Sequence, residues 1–424
     1  MRQTGNIPLG WRKIILCLLL VSGSFSPGMA YAIQYYVAKT GNDANSGAYS
    51  SPFLTIRRGM TTMRTGDTLL IRAGTYAEQI DSQFFTIPTG TSWENAPIIA
   101  ASPGDVVTIK PNSGSQAIGL VHSYIQYVIF DGLIIDAINE DTVNGMGISM
   151  TNGANHVRFR NLEVKNAPVN NVLLTKGTGG TEYNEFIGGK YHDSDVWQSS
   201  SLVKGAYNFY IATDHNLIDG AEIYNATGYG VHIYNSSSTG HAPDYNIVRN
   251  CRVYNNNIRR ISFAGILVAS GIGNMAYNNL VYDNRGHGIQ VGNGSVGAKI
   301  YNNTIFDNDQ NGLQIGAAVD ATNTIIKNNI SYGNLINYYN RGIGTIESNN
   351  VVDGTNPLFV DPTKRDFHLQ YGSPAIDRGL TLGEIKVDFE GTSRPQGAGY
   401  NIGALEGTQP TLGAPKNFRL ISVQ

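Results

Sequence analysis

The residues best suited to chemistry form a stretch rich in carboxylates near the middle of the chain. The run YHDSD carries Asp193 and Asp195, and Asp214 follows about twenty positions later. Carboxylate oxygens are the ligands that Ca²⁺ prefers in proteins. Lys204 and Trp197 lie between these acids. Clustered carboxylates beside a lysine are residue types that can hold a metal ion and exchange a proton.

A repeated phrase shows which elements must position these residues. The phrase consists of an apolar residue, then an Asn or Gly, then a [Ile/Val]-[Tyr/Phe]-[Asn/Asp] ending. It occurs in LIDGAEIYN (217–225), IVRNCRVYN (247–255) and KIYNNTIFD (299–307). The intervals between successive phrases are 21 to 32 residues, which are typical of a solenoid. The Asn or Gly landmarks are Gly132, Asn161, Gly188, Gly220, Asn250, Asn278, Asn302, Asn328 and Asn349.

Each repeat holds short β-branched runs bounded by Asn, Gly or Asp, a pattern that predicts strands joined by tight turns. One such unit cannot bury its apolar side chains alone, so the units must coil and stack in parallel. The sequence therefore predicts an all-β chain folded as a parallel β-helix, with landmark asparagines stacked about 4.8 Å apart. A leucine-rich repeat or a β-propeller would need a different consensus.

Two further sets of residues follow from this register. Asp283 and Asp307 come five positions after successive landmarks, so we expect their side chains to stack, mainly as turn residues that replace asparagine. Arg285 and His287 follow on the same loop. His232, Gln290 and Gln314 fall in the middle of the second strand of their repeats, where an outward direction suits sugar hydroxyls or plain solvent. Lys204 equally suits a solvated turn, and Trp197 could cover a loop core.

Composition restricts the class of partner. The 424 residues include 30 Lys and Arg against 32 Asp and Glu, a formal net charge of −2. That balance offers no basic excess for a nucleic-acid backbone, so we expect no nucleic-acid partner. The chain also lacks a P-loop, an H-E-x-x-H and a C-x-x-C.

The first 32 residues predict export. Arg12 and Lys13 precede the apolar run 14–21, and an A-x-A site ends at Ala32. Cleavage there would remove three basic residues and change the net charge from −2 to −5. Cys251 would be the single remaining cysteine, so no internal disulfide is expected. The mature chain is expected to have no membrane span and to act as a secreted or surface-associated monomer.

The N-terminal flank carries a specific resemblance. The runs YYVAKTGNDANSG (35–47), SPFLTIRRGM (51–60) and GDTLLIRAGTY (66–76) resemble the cap of exported bacterial right-handed parallel β-helix proteins, a superfamily that includes calcium-dependent pectate lyases. Ser51 and Pro52 are expected to open a short helix that covers the first coil.

The C-terminal flank resembles a second known element. NPLFVDPTKRDFHLQYGSPAIDRG (356–379), DFEGTSRP (388–395) and NIGALE (401–406) are similar to the choice-of-anchor Q region that ends many bacterial surface β-helix proteins. The expected organisation is a signal peptide (1–32), an N-terminal cap with first coils (33–115), β-helix repeats (116–355), a C-terminal cap (356–406) and a tail (407–424).

The resemblance implies an extracellular polysaccharide as partner and β-elimination, assisted by Ca²⁺, as the leading enzymatic hypothesis. On that hypothesis Asp193, Asp195 and Asp214 bind the metal and Lys204 is the base. The expected contacts to substrate come from Trp197, His232, Arg285 and His287. The four-aspartate site of pectate lyases and the D-P-H-D element of alginate epimerases cannot be matched residue by residue. A non-catalytic surface protein and a glycoside hydrolase on the same scaffold therefore stay open as alternatives.

Overall fold

The chain winds into a parallel β-solenoid, as its repeat predicts. The structure is a computed structural model that describes residues 32–195, 206–234, 242–259, 263–316 and 320–407. Within these ranges about nine turns are formed, with one short helix. Each turn passes through three parallel sheets, called sheets A, B and C in the order in which the chain enters them. Nearly all of the predicted signal peptide and tail lies outside the described residues.

The three sheets account for most of the described strands. Sheet A contains Gln34–Val37, Thr68–Ile71, Ile98–Ala101, Gln126–Asp131, Asn155–Arg160, Glu185–Ile187, Leu217–Asp219, Ile247–Arg249, Met275–Tyr277, Lys299–Tyr301, Ile325–Lys327 and Ile346–Ser348. Sheet B contains Gly74–Tyr76, Val107–Ile109, Ile134–Asp136, Glu163–Lys165, Lys190–His192, Glu222–Tyr224, Arg252–Tyr254, Leu280–Tyr282, Thr304–Phe306 and Ile330–Tyr332. Sheet C contains Ile80–Asp81, Gln116–Leu120, Met146–Met150, Asn170–Leu174, Tyr207–Ile211, Val231–Ile233, Ala264–Ala269, His287–Gly292, Asn311–Ile315 and Ile336–Asn340.

The core lies between the three sheets and repeats from turn to turn. Phe130, Phe159 and Phe186 occupy one register position of sheet A and are fully buried. Their rings stack with centroids 5.4 Å and 4.9 Å apart. Each buried apolar side chain contributes about 2 to 3 kcal/mol relative to exposure, so the column stabilises adjacent turns.

The corner between sheets A and B is built from asparagine, as predicted. All nine landmark residues have positive φ, from 48° to 71°, a conformation that asparagine and glycine tolerate. Asn278 Nδ2 donates to Asn250 Oδ1 at 3.3 Å, and Asn328 Nδ2 donates to Asn302 Oδ1 at 3.2 Å. The predicted stacking of the landmark asparagines is therefore confirmed, and their side chains are hydrogen-bonded along the column.

A second, fully buried column lies one residue after the landmarks. The backbone N–H groups of Asn279 and Asn303 each donate at 3.0 Å to the side-chain oxygen of the next member, Asn303 and Asn329 respectively. Cys251 is in the same column, and its N–H donates to Asn279 Oδ1 at 3.0 Å. The Cys251 thiol is buried and forms no disulfide.

The N-terminal helix spans Ile56–Thr62 and starts later than predicted. Thr55 is its N-cap, because the Thr55 hydroxyl accepts from the Arg58 N–H at 3.1 Å. Ser51 and Pro52 lie before it in extended backbone rather than at its first turn. Among the described residues, no helix has the length and apolar character needed to cross a membrane.

The segment 356–406 packs along the side of the solenoid, and its expected role as a C-terminal cap stays a prediction. Phe367 contacts Tyr282 and Phe306 of sheet B, each with ring centroids 5.5 Å apart. Tyr400 packs with Tyr277 of sheet A. The cause is that the outward positions of sheets A and B carry aromatic side chains here, and these attract a second apolar layer. The segment includes the strands Phe359–Asp361 and Asp366–Leu369, joined by a 3₁₀ turn at Pro362–Lys364.

Candidate functional site

The outer face of sheet C brings several of the predicted site residues onto one surface. Side chains alternate along a strand, so His232 points outward between two core residues. Leu267, Gln290 and Gln314 occupy the same register position on the following strands. The row that the sequence placed on the outside therefore exists, with one leucine inside it.

An aromatic cluster surrounds His232 on this face. The Tyr229 ring lies parallel to the His232 imidazole, with centroids 4.5 Å apart and 1° between the planes. Tyr207 and Tyr210 approach the same imidazole at 4.7 Å and 4.9 Å. Phe263 lies 4.5 Å from Tyr229. The members of the aromatic cluster are Tyr207, Tyr210, Tyr229, His232, Tyr234 and Phe263.

The aromatic cluster holds its ionisable groups neutral. His232 is 7% exposed, and burial lowers its pKa to about 3. Its Nδ1 atom has no hydrogen-bond partner among the described residues. Burial also raises the pKa of Tyr207 to about 12 and raises that of Tyr229. The four tyrosine rings that contact the imidazole are half-buried, so the cluster offers uncharged polar atoms beside accessible apolar surface.

His287 and Arg285 lie further along the same surface. His287 opens its strand in sheet C, and burial lowers its pKa to about 4. Its Nδ1 accepts from the Asn311 N–H at 3.2 Å, so Nδ1 carries no proton and Nε2 is the N–H. Arg285 lies at the corner between sheets B and C, where its Nε donates to Asn255 Oδ1 at 3.4 Å.

Asp193 occupies that same corner and is engaged by its neighbours. It has a φ of 55°, in the column of turn residues that also holds Asn225, Asp283 and Asp307. His192 Nδ1 lies 2.7 Å from one carboxylate oxygen, and Asn225 Nδ2 donates to the other at 2.9 Å. The hydrogen bond with His192 is the main cause of the lowered Asp193 pKa.

Asp283 and Asp307 stack in this column and face the C-terminal segment. Arg365 Nη2 lies 2.6 Å from Asp283 and 3.4 Å from Asp307. Their expected role as turn residues is confirmed by φ values of 55° and 54°.

Asp195 forms a buried ion pair. Its carboxylate lies 2.8 Å from Arg259 Nη2, with none of the Asp195 side chain exposed. The Thr227 hydroxyl donates to the same carboxylate at 3.3 Å. The predicted base Lys204 and the predicted substrate contact Trp197 lie outside the described residues, so their roles stay predictions.

The structure does not bring Asp214 to the other two predicted metal ligands. Asp193 and Asp195 lie where the chain enters sheet C, whereas Asp214 lies where it leaves, and the strand Tyr207–Ile211 runs between them. Asp214 instead groups with Glu182 and His215, whose ligand atoms all lie within 4.8 Å of one another.

This second acidic group suits a different class of metal. Ca²⁺ prefers oxygen ligands, whereas an imidazole with two carboxylates is a donor set that transition metals accept. The Nδ1 atom of His215 is buried and has no hydrogen-bond partner among the residues that the structure describes. Glu182, Asp214 and His215 thus have donor atoms for one divalent ion, while Ca²⁺ would need further oxygens.

His215 also belongs to a column of rings at the corner between sheets C and A. Its imidazole stacks between Tyr183, at 4.7 Å, and Tyr245, at 5.3 Å. Tyr127 and His156 continue the column on earlier turns. Tyrosine and histidine alternate here at positions of positive φ, so ring stacking stabilises this corner much as asparagine stabilises the others.

Sequence reasoning missed the aromatic cluster because its members come from three different turns. YNFYI (207–211) and GYGVHIY (228–234) are each rich in aromatic residues. That local enrichment is the signal, but only the strand register brings the two runs together.

The comparisons with known proteins agree with this geometry. Residues 188–352 match the family described as right-handed β-helix region. No curated protein matches the chain at the sequence level. The solved structure of the pectate lyase Pel9A is similar over 90% of this chain and 98% of its own, with a TM-score of 0.67 and 17% identity.

A rhamnogalacturonan lyase structure is similar over 85% of this chain and 99% of its own, with a TM-score of 0.55 and 14% identity. With identities this low, the structural similarity establishes the fold and does not establish the activity. The chain therefore has the right-handed β-helix fold of the pectate lyases.

Proposed function

We propose that this protein binds a polysaccharide along the outer face of sheet C. The observation that carries the proposal is the aromatic cluster, whose half-buried tyrosine rings surround an imidazole nitrogen that has no partner among the described residues. Aromatic rings pack on the apolar faces of sugars, and nearby polar atoms hydrogen-bond sugar hydroxyls.

The length of the face supports a polymeric ligand. Side chains suited to binding extend from the strand Tyr207–Ile211 to the strand Asn311–Ile315, four strand spacings away. At about 4.8 Å per spacing this is about 19 Å, enough for several sugar rings in a row.

Calcium-dependent β-elimination is the enzymatic hypothesis. It assigns Lys204 as base and Asp193 and Asp195 as metal ligands, without Asp214, which lies at the other end of the strand Tyr207–Ile211. Two lyases share the fold. Ca²⁺ would neutralise a uronate carboxylate and acidify the adjacent C–H. Incubation with pectate, alginate and glycosaminoglycans in the presence of Ca²⁺ should then produce the ultraviolet absorbance of unsaturated uronates. A flat signal with all three would remove this hypothesis.

A non-catalytic binding protein is the second candidate. It is favoured by the contacts of Asp193 and Asp195, which already hold His192, Asn225 and Arg259. Secretion through the predicted signal peptide, followed by association with the cell surface, would place such a protein among extracellular glycans. Cleavage of any bound glycan would contradict this candidate.

Binding itself is tested with one pair of substitutions. Tyr229→Ala removes the ring that stacks on His232 and should weaken polysaccharide binding about tenfold, equal to about 1.4 kcal/mol. Tyr371→Ala is the matched control, since Tyr371 is 61% exposed on the C-terminal segment. Affinity electrophoresis and calorimetry measure both. Equal affinity of the two variants would remove the outer face of sheet C as the binding surface.

A further inference from the structure

We propose that the polysaccharide bound on the outer face of sheet C consists of uncharged sugars. This inference rests on the proposed function, because it names the substrate class of the same surface. It departs from the acidic polymers named in the similar lyases.

The first support is the electrostatic character of the aromatic cluster. Burial disfavours the charged imidazolium and lowers the pKa of His232 to about 3, so this side chain is neutral throughout the physiological range. The same surroundings raise the pKa of Tyr207, Tyr210 and Tyr229. A surface that excludes charge from its own side chains would also penalise a uronate carboxylate placed on it.

The second support is the kind of polar group along the rest of the face. Gln290 and Gln314 lie in register with His232, and both are under one-tenth exposed. Asn311 Nδ2 donates to Gln314 Oε1 at 3.0 Å, which fixes the orientation of that amide. His287 presents an Nε2–H because its Nδ1 accepts from the Asn311 N–H. Amides and a neutral imidazole pair with hydroxyl groups, which both donate and accept.

The third support concerns an arginine beside the face. Arg259 is paired with Asp195, whose side chain is fully buried, so the two charges compensate each other. A carboxylated sugar would have to compete with Asp195 for Arg259, and separating a buried ion pair is costly.

The experiment compares neutral and acidic polymers on the full chain. Xylan, galactan, mannan and β-glucan are the neutral probes, and pectate and alginate are the acidic probes. We expect at least one neutral polymer to bind with an affinity that changes less than about twofold between low and high salt, because no charges meet. We expect acidic polymers to bind at least about tenfold more weakly.

Two substitutions at one position sharpen the result. Tyr229→Phe keeps the ring and should retain binding of the neutral polymer within about threefold, whereas Tyr229→Ala should lose about tenfold. Circular dichroism establishes that both variants are folded.

The outcomes separate this inference from the proposed function. Tighter binding of pectate or alginate that weakens with salt would overturn the uncharged class and leave the binding face intact. Failure of every polymer to bind would overturn both.

Discussion

Aromatic rows lie on the outward surfaces of all three sheets, and they differ in whether a second layer covers them. On sheets A and B the rows that hold Tyr277, Tyr282 and Phe306 are covered by the segment 356–406. On sheet C the rings around His232 stay half-buried, and its Nδ1 has no partner among the described residues. The difference teaches that an aromatic row stabilises the fold where a second layer covers it and is available to a ligand where it stays accessible.

The covered face depends on one buried ion pair. Arg394 Nη1 lies 2.5 Å from Glu406, and neither side chain is exposed. Arg394→Met would leave the Glu406 carboxylate buried without its cation, so we expect a loss of about 3 to 5 kcal/mol in unfolding free energy. Chemical denaturation measures it. Lys364→Met is the control, because its side chain is 82% exposed and its pair with Asp361 should matter little.

The two aromatic rows can be compared directly. Tyr282→Ala removes a ring 7% exposed between Tyr254 and Phe367, so we expect about 3 kcal/mol of destabilisation. Tyr234→Ala, on the accessible face, should cost less than about 1 kcal/mol yet weaken polysaccharide binding. Thermal melts and calorimetry measure both variants. Equal destabilisation would break the distinction between the covered and the accessible row.

Substitutions at the corners between the sheets should lower the free energy of unfolding by an intermediate amount. Asn303→Ala removes the acceptor for the Asn279 N–H and the donor to the Ala276 carbonyl, both buried. We expect a loss of about 2 to 3 kcal/mol, read from denaturant midpoints. Asn323→Gly is the control, since Asn323 is exposed and glycine tolerates its φ of 54°. A similar loss in both would show that backbone conformation, and not the buried hydrogen bonds, limits stability.

Two buried carboxyl groups extend the comparison to pH. Glu406 has Arg394, whereas both Glu140 oxygens lack a partner among the described residues, and burial raises the Glu140 pKa to about 7. The protonated form is favoured in the fold, so its stabilisation is present below the unfolded pKa and is lost as pH rises through about 7. Glu140→Gln should therefore raise the unfolding free energy by about 3 kcal/mol near pH 8, since a pKa unit equals about 1.4 kcal/mol.

The same variant at low pH supplies the control for Glu140. Near pH 5 we expect the gain to shrink below about 1 kcal/mol, because the pH is then close to the unfolded pKa and protonating the carboxyl on folding costs little. Melting curves across the pH range test this. A gain that does not depend on pH would mean that the packing of the introduced amide, and not the loss of a charge, stabilises the variant.

Much of the fold was predictable because each turn repeats the same local chemistry. Asparagines such as Asn278 and Asn302 mark a tight turn in their repeats, and the core residues along each strand alternate with a period of two. The position of the segment 356–406 was not predictable in this way, since Phe367 and Tyr400 meet Tyr282 and Tyr277 only across long sequence separations.

The candidate site was predictable only in part. His232, Gln290 and Gln314 follow from the strand period alone, but the separation of Asp214 from Asp193 depends on an intervening strand. Acidic residues that are close in sequence can therefore lie at different corners of the solenoid.

The buried position of Cys251 has a practical consequence. Burial raises the pKa of this thiol to about 12, so it is protonated and inert while its turn is closed. A thiol-reactive dye would label Cys251 only while the turn of the solenoid that buries it is open. The labelling rate would thus report, without any engineered probe, how often the middle of the solenoid unwinds.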